Sequence, residues 1–269
     1  MASTDQYSLA DLLRVMERLR DPDHGCPWDL DQDFRSIVPS TLEECYELAE
    51  AIEHDNFPHV AEELGDVMFQ VVFYAQLGKE RGLFSFDSVV HTLVDKLVRR
   101  HPHVFANGEI EGVVDERTEV ADVKITWEAI KQQEREARQQ TSALADVPVA
   151  LPALVRAQKL QKRAARVGFD WSDTEGVLDK VEEEVRELRA ALTAGDGEGT
   201  AEEVGDVLFS MVNLVRHLKL DAESALRHSS AKFESRFTAM ESIAGDSGAS
   251  LAELDQQQLE RLWEQVKSR

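Results

Sequence analysis

The sequence predicts an all-α protein made of two tandem helical modules, and three observations carry that expectation. Apolar residues recur at helical spacing along most of the chain, while strand-like alternation is scarce; Val113-Val114 is too short to count. The pattern EExxE…EExxD occurs twice, as Glu43-Glu44 to Glu47 with Glu62-Glu63 to Asp66, and as Glu183-Glu184 to Glu187 with Glu202-Glu203 to Asp206. Glu44 to Glu184 and Glu63 to Glu203 share an offset of 140. Lys96, Arg100, Trp127 and Lys131 match Lys232, Arg236, Trp263 and Lys267 at an offset of 136. Four landmarks with one shift of register describe a duplication.

Taken in order, the first helix is expected from Ser8, a suitable N-cap, to about Arg20, with Leu9, Leu12, Leu13, Met16 and Leu19 on one face. Residues Asp21 to Asp29 are rich in turn formers and predict a loop, with Trp28 expected to anchor it over the core rather than to stack on a base. A helix over Thr41–Ile52 carries the first EExxE, and one from about Pro58 to Leu77 carries the first EExxD. A charged helix from Thr118 to about Gln139 ends this half. Pro148 and Pro152 then break the helical period. The domains are placed at 1–140 and 141–269. In the second half, a helix from Asp173 or Thr174 carries Glu184 and Glu187, the glycine-rich stretch Thr193–Gly199 predicts a hairpin turn, and Glu203 and Asp206 follow. A loop over Ala244–Ser250 and a last helix over Leu251–Ser268 complete the chain.

Acidic residues outnumber basic ones 52 to 30, a net charge of −22, which argues against a nucleic-acid partner because no basic excess exists to neutralise phosphates. Cys26 and Cys45 form no CxxC and no zinc spacing, as expected of reduced thiols. The first residues lack a basic stretch followed by an apolar run, and no apolar stretch approaches a membrane span. A cytoplasmic protein with no membrane partner is expected.

The chemistry lies in the carboxylates. Residues three apart on a helix share a face, so a hairpin brings Glu184, Glu187, Glu203 and Asp206 together. Such a cluster is costly without a cation, and oxygen-only ligands point to Mg²⁺ or Mn²⁺. An acidic helix face is more often plain solvated surface, and Thr41-x-x-Glu44 also fits a capping box. Glu184, however, lies well inside its helix, roughly 75° from the centre of an expected buried stripe of Leu178, Val181, Val185, Leu188 and Leu192. Glu203 flanks a stripe of Val204, Val207, Leu208, Met211 and Val215 in the same way. Histidine is absent from the positions that a di-iron bundle requires. His54-Asp55 is a lone dipeptide, and His101-Pro102-His103 is too cramped to offer two ligands from one helix face. Lys180 lies one turn before Glu184, Lys232 and Arg236 share a helix face, and Trp263 and Lys267 sit one turn apart; together they suit a triphosphate and its base, though each alone is more simply a salt bridge or a packed ring.

The duplicated carboxylates, Gly25-Cys26-Pro27-Trp28-Asp29, Arg99 to Phe105 and Val167-Gly168-Phe169-Asp170-Trp171 resemble the MazG family over nearly the whole chain. These are two-domain bacterial nucleoside triphosphate pyrophosphohydrolases of the all-α NTP pyrophosphatase superfamily. The resemblance implies Mg²⁺-dependent cleavage of (d)NTPs to the monophosphate and pyrophosphate, a nucleotide-pool cleansing role, and a homodimer with four-helix-bundle-type cores. It implies metal ligation by Glu184, Glu187, Glu203 and Asp206. Nucleotide contacts fall to Lys180, Glu183, Glu202, Lys232, Arg236, Trp263 and Lys267, and the general base to Glu183 or Glu184. Activity is expected in the second domain, with the first weakly active or inactive because Ser40 stands where Lys180 does. A second site would comprise Glu44, Glu47, Glu63, Asp66, Lys96, Arg100, Trp127 and Lys131. Two alternatives stand beside this reading: a narrower dUTPase-like hydrolase of the superfamily, and a non-catalytic helical scaffold.

Overall fold

The computed structural model of the protein describes residues 6–114, 119–137 and 142–268. Among these residues all regular structure is helical, and the chain divides into two compact units, Met1–Glu134 and Arg135–Arg269.

In the first unit the helices are α1 (Leu9–Leu19), α2 (Pro27–Asp31), α3 (Val38–Glu53), α4 (Phe57–Glu80), α5 (Phe86–Arg100) and α6 (Val120–Ala137), the last running past the point of division. Ser8 caps α1 as expected: its hydroxyl accepts from the Asp11 N–H, and the Asp11 carboxylate accepts from the Ser8 N–H at 3.0 Å. The expected loop contains α2, whose first residue is Pro27, where a missing N–H costs nothing. Trp28 is 59% exposed and does not cover the core. α3 starts at Val38, so Thr41 is an interior residue whose hydroxyl bonds the Ile37 carbonyl and the Tyr74 hydroxyl, both at 3.0 Å. The capping-box reading of Glu44 therefore fails. The α3–α4 hairpin packs on a core of Met16, Ile37, Val72, Phe73 and Leu77. Phe73 is fully buried, with the Arg20 guanidinium 5.3 Å from its ring centre. Arg20 also grips Glu80 with two hydrogen bonds (2.9 and 2.8 Å) and donates to the Asp29 carbonyl, tying α1, α2 and α4 together. Arg99 and Arg100 both bond Glu134, which fastens α6 to the end of α5. The ends of the expected Thr118–Gln139 helix lie outside the described residues.

The second unit holds α7 (Ala153–Arg166), α8 (Thr174–Ala194), α9 (Gly197–His217), α10 (Ala222–Asp246) and α11 (Gln256–Lys267). Asp173, Asp196, Asp221 and Asp255 cap the four later helices through their carboxylates. The hairpin turn is tighter than expected. Gly195 takes the left-handed conformation (φ 72°) that ends α8, and Asp196 caps α9 at once, so Gly197 and Gly199 belong to the first turn of α9. α10 likewise runs to Asp246 through the start of the expected loop, and the final helix begins only at Gln256, after a short 3₁₀ turn.

Of the expected apolar stripes, Val181, Leu188, Val207 and Val215 are half-buried and the rest are exposed. Leu178, Val185, Leu192, Val204, Leu208 and Met211 are each 40–60% exposed. What α7, α8 and α9 bury includes polar side chains: Gln158, Gln161, Glu184, Ser210 and Asn213, beside Val177 and Val212. The apolar period was real, but it marks a face of the α8–α9 hairpin that stays largely exposed among the described residues of its own unit.

Candidate metal and nucleotide site

The α8–α9 hairpin brings oxygens of Glu184, Glu187 and Glu203 within 4.8 Å of one another. Glu184 is 6% exposed, Glu203 half-buried and Glu187 exposed, so the cluster grades from the helix interface to solvent. Asp206, one turn beyond Glu203, stands outside this triad; its charge still acts on Glu203. Burial first, then the Glu187, Glu184, Asp206 and Glu202 charges, push the Glu203 carboxyl above the ordinary carboxylate range. One Glu203 oxygen is buried with no hydrogen-bond partner. A buried carboxylate oxygen left without a donor among like charges is what a cation ligand looks like before the cation is added. The donor set, all oxygen, fits a hard divalent ion.

Lys180 supplies a cation beside the cluster. Its ammonium bonds Glu184 at 2.9 Å and Glu183 at 3.0 Å, and these carboxylates hold its pKa above the ordinary value, Glu184 contributing most. The i, i+3 and i, i+4 spacings on α8 produce this fork. Glu183 therefore sits beside Lys180 at the rim, and Glu202 lies next to Glu203, near enough to raise its pKa.

Lys232, Arg236, Trp263 and Lys267 form a second group, on α10 and α11. Trp263 packs against Phe233 (5.6 Å between ring centres) and under the Arg236 guanidinium (5.8 Å), while Lys267 pairs with Glu264 at 2.7 Å. The structure thus joins Arg236 to Trp263, but it leaves Lys267 in a local salt bridge.

The first repeat builds the same cluster. Oxygens of Glu44, Glu47 and Glu63 lie within 4.8 Å of one another, Asp66 again stands outside the triad, and one Glu63 oxygen is buried and unpartnered. Burial, followed by the Asp66, Glu47, Glu63 and Glu43 charges, raises the Glu44 pKa. Trp127 carries the Lys131 ammonium 5.1 Å from its ring centre, with His101 edge-on at 5.1 Å; Arg100 is bound to Glu134. Lys96 lies on α5.

Two features escaped the sequence reading. Asp170 accepts from Arg216 (3.0 Å from one guanidinium nitrogen) and pairs with His217 at 2.9 Å; the Arg216 hydrogen bonds lead in lowering its pKa to about 2, against the opposing effect of burial. This network clamps the loop before α8 to the end of α9, and its members are too far apart in sequence for any local pattern to pair them. His59 pairs with Glu63 at 3.2 Å, and here the i, i+4 spacing was a usable signal.

Comparison with known proteins places these observations in a family. The MazG nucleotide pyrophosphohydrolase domain matches residues 32–105 and 173–239, which span both carboxylate hairpins. The nucleoside triphosphate pyrophosphohydrolase of Escherichia coli K12 is 48% identical over 258 residues, covering 95% of each chain. The nucleoside triphosphate pyrophosphohydrolase/pyrophosphatase MazG of Thermotoga maritima is 45% identical over 257 residues, covering 96% of this chain and 94% of its own. The nucleoside triphosphate pyrophosphohydrolase of Mycolicibacterium smegmatis is 34% identical over 218 residues, 73% of this chain and 64% of its own. With both hairpins matched and full-length relatives at this identity, the chain belongs to the MazG nucleotide pyrophosphohydrolase family.

Proposed function

We propose that this chain hydrolyses nucleoside triphosphates to the monophosphate and pyrophosphate, using Mg²⁺ held in the second repeat, with Mn²⁺ as a substitute. The buried, unpartnered Glu203 oxygen facing Glu184 and Glu187 carries the reading. The activity for which the full-length relatives are named supports the substrate class. Glu184, Glu187 and Glu203 would hold the metal, with Asp206 completing the set as the outermost ligand. Once bound, a divalent ion neutralises phosphate oxygens and lowers the pKa of water.

The chain's own residues do the rest. Lys180 fixes Glu183 and Glu184 in place through its two ion pairs. Glu183, with a half-exposed side chain beside the cluster, is positioned to take a proton from the attacking water; Glu184 is the alternative base. Lys232 and Arg236 neutralise the departing pyrophosphate, and Trp263, already beneath Arg236, offers a ring to the base, with Lys267 and Glu202 at the edges of the nucleotide. The first domain, 1–140, retains the carboxylates but has Ser40 in place of Lys180, so catalysis is assigned to 141–269. The exposed stripes of α8 and α9, Leu178, Val185, Leu192, Val204, Leu208 and Met211, support a homodimer in which a second copy covers them. Nothing basic enough for nucleic acid is present in bulk, and no helix among the described residues is long and apolar enough to cross a membrane.

The test is pyrophosphate release from dGTP, dTTP, ATP and dUTP, with Mg²⁺ and with EDTA, for the wild type and Glu203→Ala. Metal-dependent release that the substitution abolishes supports the assignment. Release that survives moves the site to Glu44, Glu47, Glu63 and Asp66, and turnover of dUTP alone marks the narrower hydrolase. If no substrate is turned over, the carboxylates are scaffold.

A further inference from the structure

We propose that the second unit holds a binding pocket for a neutral heteroaromatic ring that carries an N–H donor, the chemistry of a nucleobase. The pocket lies between α7, α9 and the loop that precedes α8, with a volume of about 320 Å³, within the range that holds small ligands. Its walls are mostly apolar: Leu160 and Ala164 of α7, Phe169 and Trp171 of the loop, and Phe209 of α9. Gly176 makes room for the indole, since a Cβ there would stand 2.9 Å from the Trp171 ring. Two ionised groups of the wall, Asp170 and Arg216, bind each other at 3.0 Å, so together they present a ligand with no net charge. The polar signal is Gln161. It lines the pocket and is 7% exposed; its amide nitrogen donates to the Phe209 carbonyl at 2.8 Å, and its amide oxygen is buried with no hydrogen-bond partner. A buried acceptor left without a donor is costly, and an N–H on the ligand would satisfy it.

The first repeat shows what such an interior accepts. Phe73 stands 140 positions before Asn213, and its ring is fully buried in the cluster with Met16 of α1; Phe69, the twin of Phe209, meets it edge-on at 5.8 Å. In the second repeat Asn213, smaller and polar, lines the pocket instead, so this position lacks the ring that the first repeat supplies from its own chain. Ser210 and Asn213 follow Glu203 by seven and ten residues and share its face of α9, about 10–15 Å along the axis. A sugar and its phosphate chain can span that distance. The ring is therefore either the base of a nucleotide held at the carboxylates or that of a free nucleoside, and both carry the same chemistry. None of Glu184, Glu187, Glu203 and Asp206 lines the pocket, and binding of a ring needs no turnover, so the proposal stands apart from the hydrolase assignment.

The experiment titrates the full chain, in EDTA, with adenosine, cytidine and thymidine, and with their N6,N6-dimethyl, N4,N4-dimethyl and N3-methyl derivatives, which lack the base N–H. Calorimetry and tryptophan fluorescence read the binding. The expected result is one site per chain for at least one of the three nucleosides, with affinity about tenfold or more lower for its methylated derivative. Quenching should persist in Trp263→Phe and disappear in Trp171→Phe. Ala164→Leu, which fills the wall with another good helix former, should lower affinity about tenfold or more while melting close to the wild type. Gln161→Leu should bind the parent and methylated forms alike. With Mg²⁺ present, displacement by the α,β-methylene triphosphate of the same base identifies the ring as the substrate's, and simultaneous binding identifies a separate nucleoside; each supports the pocket. Failure of all three nucleosides to bind, equal affinity for the methylated derivatives, or unaltered affinity in Ala164→Leu overturns the proposal. So does quenching that is lost in Trp263→Phe but kept in Trp171→Phe.

Discussion

The two repeats carry the same carboxylates yet bury different members of the set. In the first, Glu63 on α4 is the buried one and pairs with His59 on the same helix; in the second, Glu184 on α8 is buried and pairs with Lys180 on its own helix. The group beside the buried carboxylate has moved from one arm of the hairpin to the other and has changed from an imidazole to an ammonium. The cores differ in parallel. Phe73, fully buried in the first repeat, stands 140 positions before Asn213, which is 3% exposed and accepts from Arg216 at 2.8 Å. Leu77 similarly precedes His217, which pairs with Asp170. At these positions the first repeat packs apolar side chains, and the second holds a polar network. A duplicated fold has room to keep one copy as a stable body while the other accepts buried polar groups in exchange for chemistry.

Substitutions that treat the repeats alike can break this contrast. The largest difference is expected at the buried second-repeat ligand: Glu184→Gln should lower pyrophosphate release about a thousandfold, because removing one charged ligand weakens a metal site at its centre. Glu44→Gln, its positional twin, should leave the rate within about twofold of the wild type in the same assay. Equal losses would mean that both repeats act together, and the division of labour would fall.

Next comes the apolar core. Phe73→Ala should destabilise the first unit by about 3–5 kcal/mol, the cost of a large buried cavity, whereas Asn213→Ala should cost the second about 1–2 kcal/mol for a lost buried hydrogen bond. Hydrogen exchange resolved by segment separates the two units. A larger loss at Asn213 than at Phe73 would reverse the assignment of packing and polar interiors.

Lys180→Ala should reduce kcat/KM by about 10–100-fold, since an ordered ion pair and a phosphate-facing charge both go. If the lysine alone separated the repeats, Ser40→Lys combined with Glu184→Gln would restore turnover. No restoration is expected, because the first repeat also lacks the network of Asn213, Arg216 and Asp170, with Phe73, Gln76 and Leu30 at those positions.

The smallest effect concerns pH. Asp170, with a folded pKa of about 2 against an ordinary 3.8, stabilises the second unit fully above pH 3.8, and that contribution is lost as pH falls toward 2. Asp170→Asn should therefore cost about 1–2 kcal/mol at pH 7, after allowance for its partial exposure, and the gap to wild type should close between pH 4 and 2. Urea titration at several pH values reads this directly. A gap that stays constant through that window would mean that Asp170 acts by shape and not by charge.

Much of the architecture is legible in the primary structure because helical period, caps and the duplicated motif are local. Ser8, Asp173 and the spacing from Glu184 to Glu187 each predict structure within one or two turns. The carboxylate triads follow from the same periodicity once the hairpin is granted. Trp28 and the apolar stripes depart from expectation because burial is decided by what lies opposite, and Thr41 because α3 starts earlier, at Val38. The sequence shows Leu178 and Leu208 to be apolar, but not that they stay exposed within their unit. The pairing of Asp170 with Arg216 spans 46 residues and leaves no local trace.

By itself, then, the sequence determined the helical class, the duplication, the carboxylate faces and the absence of Lys180's counterpart at Ser40, all of which depend on residue type and short-range spacing. Tertiary structure alone decided which carboxylate of each set is buried, where Asp206 stands relative to its neighbours, and which cation or imidazole meets the buried oxygen. Those outcomes depend on how closely two helices approach and which side chains fill the space between them. That balance of packing and desolvation is a property of the folded chain rather than of any one segment.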